Sequence, residues 1–278
     1  MKIEGKTIVL TGATGGIGST IAKSLAAAGA RLILTGRDKV QLDKLNSTLA
    51  VADAPHLPLA ADLTESSGRQ ALVAACASCE GGIDILINNA GLSDFCFLEA
   101  TDSAMISAML NTNLLAPVLL SRELLPFLRQ KDHAVIINIG STFGGIGYPG
   151  FSVYCASKFG LRGFSQALQR ELAGSGIEVL YVAPRATKTA INSSRVVEMN
   201  RTLGNSMDEP QRIADVICQR IKAERWGSCS IGWPERFFIW LNGVFPGLVS
   251  LALQRQLPVI RKFAMQNPID RYHETERS

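Results

Sequence analysis

Short apolar runs recur along most of the chain, and polar or glycine-rich stretches separate them. We predict seven strands, at 6–10, 31–35, 56–60, 83–87, 134–139, 178–183 and 228–231. The first is a short apolar run with the β-branched residues of a buried strand, and the last is short. Stretches between them predict helices at 19–28, 39–50, 102–129 and 210–225, and a further helix begins near Ser152. Strands that alternate with helices form a parallel sheet with right-handed crossovers. The pattern therefore predicts an α/β fold, a doubly wound parallel sheet of about seven strands in a single domain.

The pattern changes in the C-terminal part of the chain. Residues 237–254 carry no charge and are rich in Phe, Leu, Val and Trp. A run of this length is at the lower limit for a membrane span, but Asn242-Gly243 and Pro246-Gly247 interrupt it near its middle. We therefore expect two short apolar helices that cover a pocket, form an oligomer contact or lie on a membrane surface. The predicted division is a catalytic domain over 1–232 and an extension over 233–278.

Composition limits the classes of function. A chain of 278 residues with 47% apolar residues suits one large domain, and a net charge of +4 from scattered residues makes nucleic acid a poor candidate partner. Cys76 and Cys79 form a Cys-x-x-Cys pair without a second pair or a His at zinc-site spacing, so we interpret them as helix packing and expect no metal. No signal peptide opens the chain. Six cysteines without a disulfide-like framework then predict a reducing, cytoplasmic location.

Tyr154 and Lys158 lie four residues apart where a helix is predicted to begin. This spacing puts both side chains on one helix face, one turn apart. A free Tyr hydroxyl has a pKa of about 10, and a nearby ammonium favours the phenolate and lowers that pKa. A Tyr tuned in this way passes a proton to or from an alcohol oxygen. The pair alone is also compatible with two ordinary helix residues.

A glycine-rich turn joins the first predicted strand to the first predicted helix, with the sequence Thr11-Gly12-Ala13-Thr14-Gly15-Gly16-Ile17-Gly18. Glycines at this junction let the backbone approach a pyrophosphate, and the helix N-terminus supplies amide donors and a positive dipole end. The turn therefore predicts a dinucleotide site, although its glycines depart from the usual G-x-G-x-x-G spacing.

The end of the second strand indicates which dinucleotide binds. A carboxylate there would hold the ribose 2′-hydroxyl of NAD, but the chain has Gly36 followed by Arg37. Because Arg can bind a 2′-phosphate with paired donors, we favour NADP(H) over NAD(H). The neighbouring Asp38 argues against NADP(H), because a carboxylate would repel a 2′-phosphate, unless Asp38 instead caps the helix from Lys39.

Three later segments add candidate site residues. Asp62, after the third strand, either accepts from an adenine amino group or caps the helix that follows. Asn88-Asn89-Ala90-Gly91 ends the fourth strand, where open α/β sheets hold their ligands. Pro117 should kink the helix 102–129 and free the Asn113 carbonyl to hold a water, unless it simply breaks the helix.

Taken in order, these motifs resemble those of the short-chain dehydrogenase/reductase family over residues 4–232. The matching residues are the glycine turn, Asn88-Asn89-Ala90-Gly91, Asn113, Ser141 and Tyr154-x-x-x-Lys158. The resemblance implies a seven-stranded Rossmann-type fold. It also implies reversible hydride transfer between a nicotinamide and a carbonyl or alcohol, in a homodimer or homotetramer.

The resemblance also implies roles for individual residues. Tyr154 would be the general acid in reduction, Lys158 would lower its pKa and bind the nicotinamide ribose, and Ser141 would hydrogen-bond the substrate oxygen. Asn113 would hold a water in a proton relay to Lys158. The implied cofactor-binding residues are Gly12, Thr14, Gly16, Ile17, Gly18, Arg37, Asp62, Leu63, Asn89, Ala90, Gly91, Tyr154, Lys158, Pro184, Thr187 and Thr189.

Two departures from the family pattern affect the interpretation. Arg185 follows Pro184 where the family usually has Gly, so a cation would alter cofactor contacts or meet an acidic substrate group. The chain also continues for about 45 residues past the seventh strand, and residues 233–260 are candidates for peripheral membrane contact.

The sequence as a whole predicts an NADP(H)-dependent carbonyl reductase with a lipophilic small-molecule substrate, such as a 3-oxoacyl derivative, a long-chain or sphingoid-type ketone, or a steroid. The alternatives are an NAD-linked alcohol dehydrogenase and a non-catalytic dinucleotide-binding regulatory protein. The polar loop predicted between Thr187 and Asp208 has no chemical signature that names the substrate.

Overall fold

The computed structural model describes residues 1–50 and 55–264, and a parallel sheet of seven strands forms its centre. In chain order the strands are β1 Thr7–Thr11, β2 Arg31–Gly36, β3 Leu57–Ala60, β4 Ile85–Asn88, β5 Ala134–Ile139, β6 Ile177–Ala183 and β7 Gly227–Ser230. They lie side by side in the order β3-β2-β1-β4-β5-β6-β7. The predicted doubly wound fold is therefore confirmed, with each strand within about two residues of its predicted position.

Ten α-helices of the described residues surround the sheet or extend from it. They are α1 Gly16–Ala27, α2 Lys39–Asn46, α3 Ser66–Ala77, α4 Ser103–Leu110, α5 Ala116–Leu128, α6 Ser152–Glu171, α7 Ser194–Thr202, α8 Pro210–Lys222, α9 Glu235–Val244 and α10 Pro246–Ala264. The segment 187–208, predicted as a loop, contains α7, so that prediction was wrong. Most residues of α7 are polar, but Val196 and Met199 are buried on its inner side.

Both faces of the sheet are covered, because helices alternate between them. On β1, Ile8 and Leu10 belong to the core on the side of α1 and α8. Val9 belongs to the opposite core, together with Leu120 and Leu124 of α5. β1 and β4 are neighbours from which the chain builds outward in opposite directions. A ligand crevice forms outside the carboxyl ends of such a strand pair.

The predicted helix 102–129 is one helical run with a defect in its middle. A π-helical turn, Asn111–Leu115, joins α4 to α5 directly before Pro117. The run is therefore not broken at Pro117, whereas the expected kink and the free Asn113 carbonyl stay predictions. Because a π-turn shifts the hydrogen-bond pattern by one residue, it accommodates a proline that a regular helix would not.

Among the described residues, Ser103–Leu128 is the one run long and apolar enough to cross a membrane, and 28% of its most apolar window is buried.

The C-terminal extension forms two helices, but its details differ from the prediction. Asn242-Gly243 lies inside α9, and the chain turns at Phe245 instead. The second helix, α10, has 19 residues and is not short. Its second half is anchored in the molecule, since Ile260 and Phe263 join a third apolar cluster. The last part of the predicted extension, 265–278, lies outside the described residues.

Candidate active site

The glycine turn lines a cavity of about 390 Å³ at the carboxyl ends of β1 and β4. Gly12 has a φ of +60°, and a Cβ there would lie 2.7 Å from the Cα of Ala90. A Cβ on Gly18 would lie 2.1 Å from the carbonyl oxygen of Gly12. Side chains at these positions would push the turn away from the neighbouring strand end. The glycines thus create the close backbone approach that a bound pyrophosphate requires.

The N-terminus of α1 opens into the same cavity. Among the described residues, no side chain caps this helix at Gly15, and its first turn holds no acidic residue. Backbone N–H groups at an uncapped helix start lack internal partners and lie at the positive end of the helix dipole. This end of the cavity fits the pyrophosphate of a dinucleotide.

Asn89 connects the glycine turn to the end of β4. Its side-chain amide donates to the carbonyl oxygens of Thr11 and Gly12, both at 3.0 Å. In return the Thr11 hydroxyl accepts from the backbone N–H groups of Asn89 and Ala90, at 2.9 and 3.0 Å. Asn89 therefore holds the turn in shape as well as lining the cavity. The part played by Thr11 was not predicted, because a threonine at a strand end carries no distinctive signal.

Charged residues surround the far end of the cavity. Arg37 lines it and is exposed, while Asp38 accepts from the backbone N–H of Gln41 at 3.0 Å and caps α2, as predicted. Asp62 also lines it, but its carboxylate accepts from the backbone N–H and the hydroxyl of Thr64. These hydrogen bonds hold the pKa of Asp62 below its ordinary value, and the more distant charge of Arg37 acts in the same direction. Of these side chains, only Arg37 offers donors to an anion.

The remaining predicted cofactor residues divide between two neighbouring cavities. Thr14, Gly16, Ile17, Leu63 and Gly91 line the dinucleotide cavity. Pro184 and Thr187 line a second cavity beside it, and Thr189 lines both.

Tyr154 and Lys158 lie in the first two turns of α6, as predicted. The Lys158 ammonium is 5.8 Å from the centre of the Tyr154 ring and donates to the carbonyl oxygen of Ile139 at 2.9 Å. The Ser141 hydroxyl is hydrogen-bonded to the Tyr154 hydroxyl and also accepts from the backbone N–H of Phe143 at 3.1 Å. Three residues that are far apart in sequence thus meet at one point.

The prediction that Lys158 lowers the pKa of Tyr154 is not what the structure shows. Burial raises the pKa of the Tyr154 hydroxyl to about 12, against the opposing effect of the Ser141 hydrogen bond. Burial also lowers the pKa of Lys158 to about 8. Both shifts have one cause, because an enclosed site disfavours the charged form of each group. The Tyr154 hydroxyl therefore keeps its proton at neutral pH.

Asn113 is fully buried beneath this group. Its side-chain oxygen accepts from the backbone N–H of Leu92 at 2.7 Å, and its amide donates to the carbonyl oxygen of Leu92 and to the Ser157 hydroxyl. Ser157 donates in turn to the carbonyl oxygen of Tyr154 at 2.7 Å. Asn113 thereby ties the helical run 103–128 to α6. Ser157 was not predicted, since a serine inside a helix is common.

A second cavity, of about 420 Å³, opens beside the first and is lined by Ser141, Tyr154 and Lys158. Asn89, Gly91 and Thr189 are among the residues that line both cavities, so the two cavities adjoin.

The walls of the second cavity are mainly apolar. Phe143 and Phe151 lie with their ring centres 6.3 and 6.2 Å from that of Tyr154, and Tyr148 stacks on Phe143 at 4.9 Å. The C-terminal extension supplies much of the opposite wall, through Trp233, Phe238, Leu241, Leu248 and Val249.

Tyr181 on β6 supports the loop that carries Ser141. Its hydroxyl donates to the carbonyl oxygen of Ser141 and accepts from the backbone N–H of Ser141, both at 3.4 Å. A Cβ on Gly140 would lie 2.2 Å from this ring, so the strand end and the ring fit only with glycine there. The only signal for this role was a tyrosine inside an otherwise aliphatic strand.

Arg185 forms ion pairs within the chain. Its guanidinium donates to Asp208 at 2.6 Å and to Glu235, the first residue of α9, at 3.4 Å. Arg212 also reaches Asp208, at 2.9 Å. Arg185 also lines the second cavity, so its expected effect on cofactor contacts or on an acidic substrate group stays a prediction. Arg185 fastens the C-terminal extension to the end of β6.

Comparisons with known proteins agree with this geometry. The family model for short chain dehydrogenases matches residues 6–200. The ketoacyl reductase HetN of Nostoc sp. is 33% identical over 221 residues, which cover 79% of this chain and 76% of that protein.

Two solved structures cover most of the chain. A short-chain dehydrogenase from Sphingobium yanoikuyae in complex with NADPH superposes with a TM-score of 0.74 at 31% identity, over 88% of this chain and 95% of that one. A 3-ketoacyl-(acyl-carrier-protein) reductase from Brucella melitensis complexed with NADH gives a TM-score of 0.76 at 25% identity, over 84% of this chain and 99% of that one. The chain therefore belongs to the short-chain dehydrogenase family, as an oxidoreductase that interconverts a carbonyl and an alcohol with a nicotinamide dinucleotide.

Proposed function

We propose that the protein is an NADP(H)-dependent reductase of a lipophilic ketone or aldehyde, with Tyr154 as the general acid. The observation that carries the proposal is the place of the Ser141–Tyr154–Lys158 group, where a dinucleotide cavity adjoins an apolar cavity. In this proposal residues 1–232 form the catalytic unit, and the described part of the extension, 233–264, completes the substrate side.

The proposed proton transfer follows from the hydrogen bonds and the pKa shifts. A bound nicotinamide supplies hydride to the carbonyl carbon. The carbonyl oxygen accepts hydrogen bonds from the hydroxyls of Ser141 and Tyr154, and Tyr154 gives up its proton as the alcohol forms. A pKa of about 12 keeps that proton in place until negative charge develops on the substrate oxygen. The Lys158 ammonium then stabilises the phenolate, and protons return through a water on the Asn113 main-chain carbonyl.

Three observations support NADP(H). Arg37 is exposed at the cavity wall, and among the described residues no carboxylate forms an ion pair with it. The neighbouring Asp38 is occupied as the cap of α2. Asp62 is occupied by Thr64. A 2′-phosphate would thus meet a guanidinium whose donors are available.

The lipophilic substrate is inferred from the second cavity. Aromatic rings cover the side next to Tyr154, and the C-terminal helices cover the other. Apolar side chains form the larger part of this wall, so a long acyl or alkyl chain is the best match. Ketoacyl reduction is the activity in the names of two of the similar proteins, and it suits this cavity.

Tyr154→Phe tests the proposal, because it removes the proton donor and little else. We expect turnover of a long-chain ketone with NADPH to fall by at least about 100-fold while NADPH binding is kept. Tyr148→Phe is the matched control, since Tyr148 lines the same cavity and its hydroxyl reaches Gln256. Turnover that survives in the Tyr154 variant would remove this residue from the mechanism.

A further inference from the structure

The outer faces of α9 and α10 expose large apolar side chains to solvent. On α9, Phe237, Trp240 and Val244 follow one another at intervals of three and four residues, which places them in one stripe along the helix. Trp233 lies in the turn just before this helix. Trp233 and Trp240 are 72% and 58% exposed. The Phe237 ring lies 6.0 Å from Trp233 and 5.8 Å from Trp240, so the three rings form a continuous aromatic row. Single exposed apolar residues are ordinary, but a row of aromatic rings marks a binding surface.

The next helix continues the apolar surface and then becomes basic. Leu248 and Leu251 are 56% and 58% exposed near the start of α10. Arg255 and Lys262 are exposed further along, at positions that share a helix face with the two leucines. We call the aromatic row of α9 together with the exposed leucines of α10 the apolar face.

The charges near the apolar face are almost all positive. Within 233–264 the chain has four basic residues and a single acidic one, Glu235. Glu235 is paired with Arg185, so its charge is compensated. Rings and leucines with adjacent basic side chains form the usual pattern of a segment that lies in a membrane interface. Trp residues in particular are enriched at that depth.

The apolar face also reaches the mouth of the substrate cavity. Trp233, Phe238 and Leu248 each line the cavity and are also exposed to solvent. The cavity therefore has apolar walls that continue onto the outside of the molecule. A lipophilic molecule could pass along this surface without entering water.

From these observations we propose that the apolar face docks on an anionic phospholipid bilayer, with the cavity mouth towards the lipid. Its aromatic row would lie among the headgroups and upper acyl chains, and its basic residues would contact lipid phosphates. A second copy of the chain is a poorer match. In a two-fold contact the same face meets itself, which would bring the basic residues of two subunits together. Docking does not depend on the proposed reductase activity.

The experiment is binding of the full chain to phosphatidylcholine vesicles with and without an equal part of phosphatidylglycerol, measured by co-sedimentation. We expect binding to the mixed vesicles, weakened by salt, and a blue shift of tryptophan emission. Trp240→Ser should lower the partition coefficient by about tenfold or more, because most of one large aromatic side chain leaves the lipid. Arg255→Glu with Lys262→Glu should abolish the preference for anionic vesicles.

Val40→Ser is the matched control, since Val40 is an equally exposed apolar residue, 76% exposed, on the distant helix α2. This variant should bind vesicles like the unaltered protein. Analytical ultracentrifugation without lipid tests the alternative that a second copy of the chain covers the apolar face. If Trp240→Ser halves the particle mass while vesicle binding is absent throughout, the face is a subunit contact and the proposal fails. Equal vesicle binding by the Trp240 variant and the unaltered protein would also overturn it.

Discussion

Lys158 and Tyr154 show how one physical cause can act on two neighbouring groups in opposite directions. A tyrosine next to an ammonium is usually expected to have a lowered pKa, but enclosure outweighs that attraction here. The same enclosure lowers the pKa of Lys158 to about 8. The pair is thus poised as a neutral acid beside a cation that loses its proton easily.

Lys158 should make stability depend on pH in a specific window. Its pKa falls from 10.5 to about 8 on folding, so the unfolded chain binds more protons in this range, and stability rises with pH. Above pH 10, Tyr154 acts in the opposite direction, because its pKa rises from 10.0 to about 12 on folding. Relative to Lys158→Met, the unaltered protein should gain up to about 1.4 kcal/mol per pH unit between about pH 8 and pH 10.

Urea unfolding at several pH values measures this gain, in the protein without cofactor. Lys23→Met is the control, because Lys23 is exposed on α1 and its removal leaves the buried site intact. A stability difference between Lys158→Met and the unaltered protein that stays flat across the window would show that Lys158 is not desolvated.

Arg37 is expected to affect the binding of NADPH and the binding of NADH to different extents. We expect Arg37→Ala to weaken NADPH binding by about 10- to 100-fold and NADH binding far less, because a charge-assisted pair contributes about 1.5–3 kcal/mol. Fluorescence titration of each dinucleotide measures the two affinities without turnover. Lys39→Ala is a neighbouring control, since Lys39 pairs with Asp43 instead. Equal losses for both dinucleotides would place the 2′-phosphate elsewhere.

Helices and strands differ in how well the sequence predicted them. Five strands were predictable because each is a buried, nearly continuous apolar run. By contrast, β3 is only partly buried and β7 is short and mostly polar. Helix α7 was not predicted, because most of its residues are polar and only Val196, Met199 and Asn200 are buried. The π-turn before Pro117 was also missed, although the proline itself signalled that the helix could not continue regularly. The proline in the sequence showed where the helix becomes irregular, but not that the irregularity is a π-turn.

Arg185 connects the extension to the end of β6 through its ion pair with Glu235. We expect Arg185→Gly, which restores the usual family residue, to destabilise the fold by about 1–3 kcal/mol, because Asp208 is buried and loses its closest cation. Hydrogen exchange should accelerate in α9, whose first residue is Glu235, while exchange in α1 stays unchanged. Arg201→Ala removes an exposed ion pair with Glu198 and serves as the control. Unchanged exchange in α9 would show that apolar contacts alone hold the extension.

For the molecule as a whole, the sequence predicted the cofactor and Tyr154 sites better than it predicted the substrate side. The glycine turn, Arg37, Ser141, Tyr154 and Lys158 could be assigned from sequence because each belongs to a motif at a fixed strand or helix end. The wall of the second cavity could not be assigned from the sequence. Its residues come from separate segments of the chain. Only folding brings Phe151, the residue before α6, into one apolar cluster with residues of α10. The apolar content of the extension predicted a covering role without indicating which side chains face inward.

Val249 on α10 allows the proposed substrate wall to be tested against the outer face of the same helix. Val249 is buried and lines the cavity, whereas Leu251 is exposed and does not. In the unaltered enzyme, each added methylene of a ketone substrate should raise kcat/KM by about fourfold, equivalent to about 0.8 kcal/mol, until the cavity is full. Val249→Phe should end this rise at a shorter chain, because the larger ring takes up cavity volume. Leu251→Phe should leave the dependence on chain length unaltered. NADPH oxidation with a series of ketones measures both variants. If the preferred chain length is the same in Val249→Phe and in Leu251→Phe, α10 does not form the substrate wall.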